Sequence, residues 1–243
     1  MKNPSKITLV LAFVFLLTWT SDLKPLLAES DSPIVRVGVL ANRGPEICLS
    51  QWTPTAQYLS QNVPGRSFQI IPVDFEQIFS VVKNAEVEFI LANPSFYVEL
   101  EHGFRVNRIA TLKTRHTSGT YTRFAGVIFS RADRDDLHTL KDLKGKQFMA
   151  VDESSLGGWH MAWREFLENG IDPYRDFGSL AFAGAHDAVV LAVLEKQVDA
   201  GTVRSDILER MAAQGLIRLD QIHVFPPPPE ETEGLPFLHS TRT

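Results

Sequence analysis

The chain has 243 residues, of which 44% are hydrophobic and 22% charged, with a formal net charge of −5. That composition suits a globular protein large enough for one large domain or two lobes. The acidic balance argues against a nucleic-acid binder, which carries a basic face, so any bound anion must be captured by local donors and not by a general positive field.

In chain order, the N-terminus reads as an export signal. Lys2 and Lys6 introduce an apolar run over residues 7–19, too short to span a bilayer comfortably and well suited to a signal-peptide core. The expected signal peptide covers residues 1–28 with cleavage after Ala28, and an uncleaved membrane anchor is the alternative. No Cys sits just after that point, so a lipid anchor is not indicated. The lone cysteine, Cys48, reads either as a buried small hydrophobe or as a reactive thiol.

From residue 34 the pattern alternates. Residues 34–40, 68–73 and 87–91 predict strands, and 55–61, 75–83 and 96–100 predict helices, the last ending near Gly103. The order recurs further on, with strands over 147–151, 179–183 and 198–203 and helices over 160–167, 186–195 and 205–213. Alternation of this kind predicts mostly parallel sheets flanked by helices, here in two lobes of similar build. Residues 34–123 form the first lobe, 124–131 a hinge or crossover strand with Gly126 as its torsional point, and 132–203 the second lobe. A plain central strand is the other reading of 124–131. Residues 204–243 return toward the first lobe, and 226–233 form a stiff, acidic proline-rich loop.

The most informative stretch follows the strand ending at Val151. Ser154, Ser155, Gly157 and Gly158 lead into a helical pattern, which places small hydroxyl and glycine residues at a helix start. Unpaired backbone N–H groups and the helix dipole would attract an anion there. An ordinary N-cap, with the glycines permitting a tight bend, explains the same residues.

Further motifs come in a fixed order: Asn93-Pro94-Ser95-Phe96-Tyr97, Asp142-Leu143-Lys144-Gly145-Lys146, the Ser-Ser-x-Gly-Gly turn, Asn169-Gly170-Ile171-Asp172, Gly184-Ala185-His186-Asp187 and Val198-Asp199-Ala200-Gly201. Taken together, over residues 35–241, the chain resembles the phosphate/phosphite/phosphonate-type periplasmic solute-binding proteins. The same module serves as the extracytoplasmic sensor of tetrathionate-type histidine kinases. The resemblance implies an α/β, two-lobed type II periplasmic binding fold, with a small oxyanion held between the lobes. It implies a membrane partner, either the permease of an ABC transporter or a sensor histidine kinase, and no nucleic acid or cofactor. It also implies further residues after Thr243 that complete the first lobe, so a truncated product or a fragment is expected.

The resemblance places Ser154, Ser155, Gly157 and Gly158 on the ligand, with His186 as a donor and Asp187 as an acceptor for a protonated ligand oxygen. Helix capping is the alternative for the last two. The first lobe would contribute Asn93, Ser95 and Tyr97, while Arg204 takes in the second half the place that Asn93 has in the first. A guanidinium suits forked contact with phosphate-like groups, and a surface salt bridge is the competing reading. Arg43 and Trp52 are further cleft candidates, Trp52 also fitting a core position. Ser155, His160 and Asp187 supply triad residue types, but the Ser-Ser-x-Gly-Gly turn is not a nucleophile elbow. No metal-ligand spacing, P-loop or dinucleotide fingerprint is present, so catalysis is not expected.

Overall fold

The structure, a computed structural model, describes residues 32–116 and 119–225. The expected signal peptide and the proline-rich acidic loop lie outside the described residues.

Three strands, β1 (Ile34–Leu40), β2 (Ser67–Val73) and β3 (Phe89–Leu91), form a parallel sheet in the order β2-β1-β3. One face is covered by helix α1 (Pro45–Asn62), where Val39, Ala41, Cys48, Ala56 and Ile70 pack, with Trp52 partly buried against them. The other face packs on α2 (Ile78–Lys83) and α3 (Pro94–Phe104) through Leu40, Val73, Ile78, Val81, Phe96 and Leu100. Strand alternation explains the division, since successive side chains point to opposite faces.

The chain then passes through a short hairpin, β4 (Thr114–His116) and β5 (Gly119–Tyr121), into a second sheet. That sheet contains β6 (Gly126–Arg131), β7 (Gln147–Ala150), β8 (Ser179–Phe182), β9 (Ala200–Arg204) and β10 (Ile222–Val224), in the order β10-β6-β9-β7-β8. Strands β7, β8 and β9 are mutually parallel where they pair, while β6 runs antiparallel to both its neighbours. Ile128, Phe148, Ala150 and Ala200 face the helices α4 (Met161–Glu168) and α5 (Pro173–Asp176). Val127, Phe129, Val151 and Val203 face α6 (His186–Leu194) and α7 (Ile207–Ala213). Gly201 permits the close approach of α6, because a Cβ there would lie 2.7 Å from Val189 Cγ1.

Each lobe has an apolar cluster of its own, and a third is shared between them. Leu40, Phe75, Phe96 and Leu100 of the first lobe belong to one apolar cluster with Val127, Val151, Val190 and Ile207 of the second.

Four features differ from the sequence expectation. Helix α1 begins at Pro45, not at residue 55, because Pro54 lies inside it on an exposed face and does not end it. The segment 124–131 is mainly β6, paired with β9 on one side and β10 on the other, and Gly126 pairs with Arg204. It is a central strand of the second sheet, so the residues free of sheet pairing before it are 122–125. Residues 222–224 of the expected return segment join the second sheet as β10, while Ile207, Met211 and Gln214 contact the first lobe, and 226–243 lie outside the described residues. The short strand β10 carries no turn or periodicity signal strong enough to mark it in the sequence.

Candidate anion site

The residues after β7 form one helical turn of the wide, π type, Leu156–His160, which runs directly into α4. Such turns are rare and cluster at functional sites. Ser155 caps it: its Oγ accepts the Gly158 N–H at 3.1 Å. The cap leaves the Gly157 N–H without an intrahelical acceptor, as at any helix start. Gly158 is required by packing, since a Cβ there would lie 2.4 Å from Val151 Cγ2 and 2.7 Å from Ser155 Oγ. Gly157 is required by close approach, its Cβ position being 2.9 Å from Arg204 Cγ and 3.1 Å from the Ala125 carbonyl.

These residues open onto a cavity between the two sheets. Asn42, Asn93, Ser155, Gly157, His186 and Arg204 give it a polar wall, and Leu40, Phe75 and Phe124 an apolar one. Its volume is about 20 Å³, room for about one water. The sequence pointed to Asn93, Ser155, Gly157, His186 and Arg204 there, and the fold brings all of them onto one lining. It missed Asn42 and the apolar wall, which carry no motif.

His186 is buried, with 3% of its surface exposed. Its Nδ1 accepts the Arg204 backbone N–H at 3.2 Å, so that nitrogen carries no proton and Nε2 carries it. Burial, then the Arg204 and Arg43 guanidiniums, hold the imidazole well below its ordinary pKa and keep it neutral. The neutral ring therefore keeps its one N–H on Nε2, and His186 is part of the cavity lining.

Arg204 is not a free guanidinium. It forks onto Asp206 at 3.0 Å through both Nε and Nη2, and its Cζ lies 5.3 Å from the Phe124 ring centre. Asp206 also accepts Arg210 Nε at 2.6 Å, so two guanidiniums share one buried carboxylate and one positive charge is left over. Asp206 has φ 84°, a left-handed conformation unusual for a residue other than glycine, beside the site.

The other expected ligand residues are engaged elsewhere. Asp187 accepts a forked pair from Arg43, at 2.6 and 2.8 Å, and Arg43 Nη2 also donates to Gln214 at 2.8 Å. Ser154 N–H and Oγ both bind Asp152 Oδ1, the former at 2.8 Å. Ser95 Oγ lies 3.0 Å from His160 Nδ1, and Tyr97 donates to Glu101 at 2.6 Å. Asn93 caps α3 by accepting the Phe96 N–H at 3.2 Å, leaving its amide NH2 for the cavity. Gly158, Ser154, Ser95, Tyr97 and Asp187 are not part of the cavity lining. Ser155, His160 and Asp187, the triad residue types, bond to three different partners and do not form a nucleophile–base pair.

Bonds that join the lobes around the cavity include Arg43 to Asp187 and to Gln214, the His186 N–H to the Asn42 carbonyl at 2.9 Å, and Ser95 to His160. Arg43 is 7% exposed, and its Nη1 is buried with no acceptor among the described residues. Among the described residues no cluster of three or more His, Cys, Asp or Glu could hold a metal. No described helix is long and apolar enough to cross a membrane.

Comparison with known proteins places this geometry. Residues 37–240 match the family of periplasmic substrate-binding proteins of phosphonate ABC transporters. The chain is 36% identical over 183 residues to the tetrathionate sensor histidine kinase TtrS of Salmonella typhimurium, covering 74% of this chain and 31% of that protein. A binding protein component of an ABC phosphonate transporter from Pseudomonas aeruginosa superposes with a TM-score of 0.68 at 20% identity, over 80% of this chain and 65% of that one. A Prochlorococcus marinus protein in complex with methylphosphonate gives 0.67 at 18% identity, over 80% and 72%. At those identities the structures establish the fold, the two-lobed type II periplasmic binding architecture. The chain spans about a third of the sensor kinase's length and about two thirds of the Pseudomonas protein's. On the family match, the chain belongs to the periplasmic substrate-binding proteins of the phosphonate ABC transporter family.

Proposed function

We propose that the chain captures a small oxyanion with a tetrahedral head, of the phosphonate or sulfur type, in the cavity between its lobes. The observation that supports this is the convergence of four kinds of donor on one small lining: the Ser155 hydroxyl, the turn amide at Gly157, the Asn93 NH2 and the neutral His186 Nε2–H. The surplus positive charge of Arg204 and Arg210 over Asp206 lies beside them. Donors held in place in a water-poor pocket favour an anion.

An oxyanion is larger than the water the cavity now accommodates, so entry requires the lobes to part. These interlobe bonds would open, with the connection over 122–125 absorbing the motion, and would re-form on closure. The reading places the protein in the periplasm, delivering its ligand to an ABC permease. A second reading, a ligand-sensing module for a membrane histidine kinase, is favoured by the 36% identity to the sensor kinase.

A thermal-shift series over sulfate, thiosulfate, tetrathionate, methylphosphonate and phosphate tests capture. An anion present at ~100 times its dissociation constant adds ~2.7 kcal/mol of stability, and no shift with any of them contradicts the reading. Stimulation of a permease–ATPase by the loaded protein supports transport, and a change in kinase autophosphorylation supports sensing.

A further inference from the structure

The Arg204 side chain is confined along its length. Its stem crosses the backbone at Gly157, where a Cβ would lie 2.9 Å from Arg204 Cγ. Its guanidinium lies by the Phe124 ring, 5.3 Å from the ring centre. Its Nε and Nη2 edge forks onto Asp206, each bond being 3.0 Å. The Nη1 end makes no bond among the described residues, on a side chain that lines the cavity. Asp206 departs from local preference in two ways to make this fork. It stands directly before α7, where an aspartate ordinarily accepts amides of the first turn, yet its carboxylate caps none of them. Its backbone is left-handed, with φ 84°. The carboxylate turns into the interior instead, 3% exposed, and accepts from Arg204 and Arg210. Strain of this kind persists where the surrounding structure enforces it, and it gathers at ligand sites.

We propose that Asp206 is a positioning residue for Arg204: it fixes the guanidinium by its Nε and Nη2 edge and leaves the Nη1 end for a bound oxyanion. The inference rests on the capture reading above and deepens it. Asp206 does not itself touch the ligand. A guanidinium can meet an oxyanion along either of two edges, and Asp206 takes one and leaves the other. Two opposed effects meet in the Asp206 carboxylate. Its charge repels a nearby anion, whereas its hold on Arg204 lowers the ordering cost of binding. Arg210 shares the same carboxylate, so two guanidiniums offset the one negative charge and the hold prevails.

Calorimetric titration with sulfate and methylphosphonate tests the role. Asp206→Asn removes the charge, keeps the size of the side chain and supplies a residue that tolerates the left-handed backbone. It is expected to weaken both anions by about tenfold, although it makes the site more positive. Introduced into Arg204→Gln, the same change is expected to add no further loss, because Asp206 acts through Arg204. Unchanged or tighter binding by Asp206→Asn, or losses that add in the double variant, overturn the inference and leave capture standing. If Asp206→Asn does not fold, a measurement on the native protein decides. With ¹⁵N-labelled arginine, the Arg204 Nε–H signal, identified by its loss in Arg204→Gln, is expected to stay protected from exchange as sulfate saturates the site. Loss of that protection on binding means that the fork has opened and overturns the inference. Absence of binding by both anions in the native protein removes the capture reading and this inference together.

Discussion

Single residues around the cavity have separable duties. Ser155 accepts one hydrogen bond from Gly158 and keeps its own proton for a ligand. Ser155→Ala should therefore cost ~1 kcal/mol of stability as a lost cap. Loss of a hydrogen bond to a charged group should weaken anion binding by about tenfold or more. Denaturation and calorimetry on one variant read the two effects apart. His186 makes a pH signature. It stays neutral in the folded protein, while in the unfolded chain it takes up a proton near its ordinary 6.5. Its contribution to stability is thus present above that pH and is lost as pH falls below it, by ~1 kcal/mol per pH unit. Urea unfolding over a pH series should show a shallower acid decline in His186→Gln than in the native protein. Cys48 resolves to the inert reading. It is buried, its thiol contacts the Val39 carbonyl, and burial raises its pKa, so thiol reagents should label it only on unfolding.

At the scale of elements, the turn 154–158 carries the cap that its sequence allowed and sets it on the cavity lining. Ser155 caps and also lines the cavity, whereas Ser154 serves only Asp152. Local sequence indicated a helix start but not its π geometry, which depends on Gly158 packing against Val151. Gly158→Ala would push a methyl into Val151 and the Ser155 hydroxyl, and should cost ~2 kcal/mol with loss of binding. Asp187 shows why the rest was illegible. Its partner Arg43 is far away in sequence, on the other lobe, and no local pattern links them. Removing one partner of this poorly exposed pair, as in Asp187→Ala, should cost ~3 kcal/mol. The double replacement Arg43→Met with Asp187→Leu should cost less than either single change, which a double-mutant cycle measures.

For the whole molecule, alternating periodicity was enough to indicate two sheets flanked by helices, because each strand's faces are set by neighbours a few residues away. What joins the lobes was not legible. The shared apolar cluster and the bonds across the cavity bring together residues far apart in the chain, and β10 owes its place to pairing with β6 and not to a pattern of its own. On the proposed reading, that continuity makes opening costly and couples ligand entry to lobe motion. The most direct measurement is an NMR titration of the ¹⁵N-labelled protein with sulfate or methylphosphonate. The account predicts saturable shifts of the Gly157 amide and the His186 Nε2–H signal, accompanied by smaller changes at Arg43 and Asp187. Saturable binding that leaves Gly157 and His186 unmoved would contradict it.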